Sequence, residues 1–116
     1  MKFNMFKEPK EYLKHIQDEC LFIISVSENL LFEDFMEDET LKRAVVRSLE
    51  IIGEATKKIP ADFKEKWNTF QWKNMAGMRD RLIHDYMGVN YAIVWDVMKN
   101  KIPAMNKQLS EFLNGE

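Results

Sequence analysis

The chain has 116 residues, 46% of them apolar and 31% charged, a balance that fits one globular domain and excludes a disordered chain. That length buries a core without staples, so a single domain over residues 1–116 is expected. The formal net charge of -2 speaks against nucleic-acid binding by bulk charge.

Other classes fall away as quickly. No apolar run reaches the ~18 residues of a membrane span. Residues 1–10 carry Lys2, Lys7, Glu8 and Lys10 and lack the apolar centre of a signal peptide. A cytoplasmic protein with no membrane association is expected. Cys20 is the one cysteine, so no internal disulfide can form, which suits a reducing compartment. It stands among Leu21, Ile23 and Ile24 and reads as buried and inert. His15 and His84 are far apart in sequence, and no cluster of Cys, His and carboxylates has metal-ligand spacing. Neither a metal site nor a cofactor is expected.

The pattern is helical from end to end. Tyr12, Leu13, Ile16, Cys20, Ile23, Ile24 and Leu30 recur at three- and four-residue spacing and predict a helix over roughly 9–31. The acidic stretch 33–39 breaks the pattern, and Asp38 or Thr40 is placed to cap a second helix. That helix carries Leu41, Val45, Leu49, Ile52 and Ile59 and stops at Pro60. A short helical turn is expected at 61–68. A third long helix is predicted from Trp72 to Tyr86, ended by Gly88. Asn90 caps a last helix from Tyr91 to about Leu113, with Pro103 inside it predicting a kink near Asn100. No alternation persists long enough for a sheet. The expected fold is an all-α bundle of four main helices plus a short turn. The eight Met and eight Phe read as core filler.

Charge is unevenly spread. Residues 1–40 hold 4 Lys and 10 acids, a net of -6, whereas residues 57–84 hold 7 Lys plus Arg and 3 acids, a net of +4. A local positive patch can hold a phosphate chain on an acidic protein. On the second helix, Arg43, Arg47, Glu50 and Glu54 line one face and read first as intrahelical ion pairs, second as a cleft wall.

The basic segment contains Arg79-Asp80-Arg81-Leu82-Ile83-His84-Asp85-Tyr86. An arginine holds a phosphate in two-pronged geometry, and a histidine moves protons near neutral pH. In one unbroken helix Arg79 and His84 would stand about 140° apart, so they would not share a face. They converge only if the helix loosens near His84, if the long Arg79 reaches around, or if a twofold dimer sets two motifs opposite each other. Converged on RNA, His84 would exchange a proton with the 2′-hydroxyl or the departing 5′-oxygen, and Arg79 would stabilise charge on the phosphorus oxygens. Asp80 could orient Arg79, while Arg81 stands four residues before Asp85 and could pair with it.

The Arg-x4-His-x-Tyr pattern of Arg79, His84 and Tyr86 resembles the signature of the HepT-like group in the HEPN superfamily. Residues 49–55 (LEIIGEA) look like that group's second-helix block. Trp72, Met75, Ala76, Gly77 and Met78 lead into the motif in a similar way, and Gly88-Val89-Asn90 and Val94-Trp95 follow it. The likeness covers roughly residues 10–105. It implies a metal-independent ribonuclease acting as a toxin, with the motif at a homodimer cleft. It also implies an antitoxin partner, a minimal nucleotidyltransferase that silences the nuclease by transferring AMP from ATP to the motif tyrosine. Carried over, Arg79 and His84 are catalytic, Tyr86 is the AMP acceptor and Asp80 is supporting. The group often has asparagine where this chain has Asp80. The alternatives are a non-catalytic helical module that docks onto a nucleotidyltransferase, and a plain dimerisation bundle.

Overall fold

The computed structural model describes residues 8–82 and 88–115, the Arg79 side chain excepted. Among these residues every regular element is helical. The expected all-α bundle is what forms.

Pro9 opens α1 (Pro9–Ser27), where its missing N–H costs nothing. Leu13, Ile16, Cys20 and Ile23 are fully or almost fully buried along its inner stripe. The helix stops earlier than predicted. Asn29 adopts φ 57°, a left-handed turn that asparagine tolerates, and Leu30 N–H returns to the Ser27 carbonyl at 3.2 Å. The last turn of α1 contains no basic residue of its own. Lys99 supplies the cation from across the bundle, its Nζ donating to the Ser27 carbonyl at 2.9 Å.

The acidic stretch is a second departure. It folds as a short helix, α2 (Phe32–Glu37), rather than a break. Phe35 drives this: it is wholly buried and packs on Trp95 at 5.6 Å between ring centroids. Asp38 then caps α3 (Glu39–Lys57), accepting from Leu41 N–H at 2.9 Å, as its position predicts. Val45, Leu49 and Ile52 are fully buried along α3, which packs on α1. Lys42 is also buried. Its ammonium reaches Glu39 at 2.9 Å and lies 4.6 Å from the centre of the Tyr91 ring.

Pro60 ends the helical run after Lys57 and precedes α4 (Ala61–Lys66), the expected short turn. An aromatic cluster then fixes the connecting segment. Trp67 meets Phe112 edge-on at 4.0 Å, and Trp72 Nε1–H donates to the Trp67 carbonyl at 2.7 Å.

The predicted long third helix is interrupted. Trp72–Ala76 form α5, Gly77 intervenes with ψ 5°, and Met78–Leu82 form α6. Glycine is the weakest helix former after proline, and here its N–H is shared between the Lys73 and Met75 carbonyls. The last predicted helix begins at Asn90 as expected, with α7 (Tyr91–Asp96) capped by Asn90 Oδ1 accepting from Ile93 N–H at 3.2 Å. The Pro103 irregularity takes the form of a π-helical turn, Val97–Lys101, leading into α8 (Ile102–Gly115). Ile102 N–H bonds to the Val97 carbonyl, one residue beyond the α-helical partner. Pro103 has no N–H to offer the preceding turn, so the wider ring takes its place. Gln17 ties α1 to α8 through Ser110 Oγ at 2.8 Å.

Candidate functional site

Two buried residues one turn apart, Met78 and Leu82, hold α6 to the core. Met75, fully buried, holds α5. The short elements lie close to α3 at Gly53. A Cβ there would sit 3.4 Å from the Met75 carbonyl oxygen and 3.5 Å from that of Ala76. A methyl group fits there, and a larger side chain would meet the backbone of the segment that leads to the motif arginine.

Arg79 occupies the second position of α6. Asp80 is exposed on the same helix and is engaged with a neighbouring group. His84 and Tyr86 lie outside the described residues, as does Asp85, the expected partner of Arg81. What is described is the frame on either side of them. The Asn90 N–H donates to the Leu82 carbonyl at 2.9 Å, so the chain leaves α6 and returns to α7 across one hydrogen bond. Gly88 has φ 112°, a conformation that side chains rarely adopt, which gives the glycine after the motif a physical reason. Val89 packs against the core beside it. The two neighbours of the motif are thus pinned: Leu82 by burial, Asn90 by its cap and its backbone bond.

The polar face of α3 carries one ion pair among the described residues, and Glu50 on it is engaged with a further group. Arg47 and Glu54 approach to 3.7 Å with both side chains more than half exposed, a surface pair worth about 0–1 kcal/mol. Cys20 is buried as expected, and burial, helped by the charge of Glu19, pushes its thiol up to about 12. Among the described residues no group of three His, Cys, Asp or Glu side chains is arranged to hold a metal ion, and no helix is long and apolar enough to cross a membrane.

A cavity of about 250 Å³, which sequence reading did not find, opens beside α6. Its wall includes Met75 and Arg81 from the motif segment and Lys101 and Met105 from the π turn and α8. Ile93, Val97, Lys101 and Met105 all face it. Residues four apart overshoot a turn of α-helix by about 40° each time. The wider π turn takes up part of that overshoot and keeps these four in line. The spacing of four through Pro103 was the available signal.

The described residues form a helical bundle that sets the motif arginine on a short helix packed against the core. Residues 10–112 match the family described as Ribonuclease HepT-like, and the chain belongs to that family within the HEPN superfamily. It is 52% identical, over 95% of its length and 98% of the relative's, to a protein of Caldanaerobacter subterraneus subsp. tengcongensis that carries the provisional name of an RNase. A Methanocaldococcus jannaschii protein with the same kind of provisional name is 41% identical over 92% of this chain and 88% of its own. A Thermococcus cleftensis protein provisionally named ribonuclease HepT is 43% identical over 87% of this chain and 92% of its own. No solved structure matches the chain.

Proposed function

We propose that this protein is an endoribonuclease in which Arg79 and His84 do the chemistry without a metal ion. Membership of the HepT-like ribonuclease family across residues 10–112 carries the reading. The motif sequence and its anchored frame support it. The ribose 2′-oxygen attacks phosphorus and the bond to the 5′-oxygen breaks. His84 exchanges the proton that the nucleophile loses or the leaving oxygen gains. Arg79 stabilises the charge that gathers on the non-bridging oxygens. The products are a 2′,3′-cyclic phosphate and a 5′-hydroxyl, so the reaction consumes a group that DNA lacks. Asp80, one residue from Arg79, adds a negative charge that orients the guanidinium.

The finer reading is a toxin whose partner is a nucleotidyltransferase antitoxin. The partner transfers AMP to the Tyr86 hydroxyl, with pyrophosphate leaving from ATP. A bulky anion two residues from His84 would repel RNA phosphates and fill the site. A homodimer sets one motif against its twofold copy, which removes the 140° mismatch between Arg79 and His84 on a single helix. The test is an RNA oligonucleotide with one 2′-deoxy nucleotide at the mapped cut. Loss of cleavage at that position and a cyclic phosphate in the all-ribose product support the mechanism; cleavage that persists at the deoxy position overturns it.

A further inference from the structure

The cavity beside α6 has the make-up of a nucleotide site. Arg81 and Lys101 stand on its wall with amides from Gln71 and Asn74, over a floor that includes Met75 and Met105. Among the described residues no carboxylate lines it. Neither Arg81 nor Lys101 makes an ion pair with a carboxylate among the described residues, although the surface is rich in acids. Two cations that line one cavity without a carboxylate among the described residues are suited to an outside anion.

The amides add a second feature. Asn74 Nδ2 donates to Gln71 Oε1 at 2.9 Å. That bond holds the pair together and leaves Asn74 Oδ1 to accept and Gln71 Nε2 to donate, the complement of a base edge. Both amides are exposed. The methionine floor is soft and apolar, which suits the face of a flat ring. At about 250 Å³ the cavity is near the small end of ligand pockets, about 300 Å³, which admits one splayed nucleotide and excludes a duplex. Beyond Gln71 and Asn74 the surface continues as an open depression toward Lys64 and Lys73, with Glu65 the acid among them. The track is therefore mainly basic on both sides of the amide pair.

Its location connects it to the motif. Met78 and Leu82, which line it, share α6 with Arg79, and Arg79 stands about 100° round the axis from Met78. The cavity thus lies on the face adjoining the motif position.

We propose that this cavity is a binding subsite for an unpaired nucleotide of the substrate RNA beside the cut, with Gln71 and Asn74 reading the base and Arg81 and Lys101 holding the phosphate. This rests on the ribonuclease reading above. A strand threaded from Lys64 and Lys73 into the cavity would deliver a neighbouring phosphodiester to the motif, and helical RNA would have to open before it could be cut.

The test uses binding rather than turnover. Single-stranded 2′-O-methyl RNA, which has no free 2′-hydroxyl and cannot be cut by this chemistry, is titrated against wild type, Lys101→Gln and Asn74→Ala over a salt series. Lys101 and Asn74 are both exposed, so the variants fold, and a thermal melt checks it. Lys101→Gln is expected to weaken binding about tenfold and reduce the salt slope by about one. Asn74→Ala is expected to change preference among homopolymers without changing the slope. If the wild type binds this RNA and cleaves ordinary RNA but neither variant differs from it, the subsite is wrong and the nuclease stands. If the wild type neither binds nor cleaves single-stranded RNA, the ribonuclease reading fails and takes the subsite with it. If Lys101→Gln instead alters the oligomeric mass by light scattering with RNA affinity intact, the face is an interface between copies and the proposal is overturned.

Discussion

Gly53 offers a sharp test of how the fold positions the motif. The Cβ of Gly53→Ala would stand 3.4 Å and 3.5 Å from the carbonyl oxygens of Met75 and Ala76, which is ordinary contact. Alanine also gains about 1 kcal/mol over glycine inside a helix. Gly53→Ala should therefore raise Tm, by about 4 °C for a chain of this size. Leucine is different. Its atoms beyond Cβ continue toward the same two carbonyls, and neither is free to move, because fully buried Met75 anchors α5. Overpacking of this kind costs about 1–3 kcal/mol, or a fall of about 4–12 °C. The displaced backbone lies three residues before Arg79. A shift of about 1 Å at the reacting groups lowers activity about a hundredfold. Thermal melts and RNA cleavage rates on the two variants measure both effects. A leucine variant that melts and cleaves like the wild type would refute the claim that the crossing of α3 and α5 sets the position of the motif.

Removal of the α7 cap by Asn90→Ala should cost about 1 kcal/mol, read as a lower Tm, and should speed amide exchange at the first turn of α7. The thiol of Cys20, pushed up to about 12 mainly by burial, should stay unreactive to Ellman's reagent at pH 8 in the folded protein and react fully in denaturant. Because the folded value lies above the ordinary 9.0, its contribution to stability is complete below pH 9 and is lost as pH rises toward about 12; Cys20→Ala should show a shallower alkaline loss of stability in denaturant titrations. Lys42→Met should keep the packing of the buried stem and change stability by less than about 1 kcal/mol, whereas Lys42→Ala should cost clearly more by the same melts. Tyr86→Phe should keep cleavage yet gain no adduct in intact mass after incubation with ATP and a nucleotidyltransferase of the proposed antitoxin class.

The fold was legible where one residue controls one event. Asp38, Pro60 and Asn90 each carry an element boundary through a single bond or a missing N–H, and each does so in the structure. The helical class followed from periodicity alone. Misreadings arose where tertiary contacts decide. Phe35 makes a helix of an acidic stretch because Trp95 and Tyr91, nearly sixty residues away, receive it. Asn29 ends α1 early through a backbone conformation that the apolar stripe does not encode. Gly77 divides the third helix next to the point where the Met75 and Ala76 carbonyls come close to Gly53, a relation between distant segments that a local reading cannot see. The motif itself was legible as residue types in order. The cavity was not, since it joins residues 71–82 to residues 93–105 and depends on a π turn. Met105, read as core filler, is half-buried on its wall.

The chemistry proposed for Arg79 and His84 has a direct test. Labelled RNA is incubated in EDTA with wild type, His84→Ala and Arg79→Ala, each shown by mass to carry no adduct on Tyr86. Metal-free cleavage by these two residues predicts activity of the wild type that EDTA does not reduce, and a fall of at least about a hundredfold in each variant with Tm unchanged. Cleavage that vanishes in EDTA, or that survives in both variants, would contradict it.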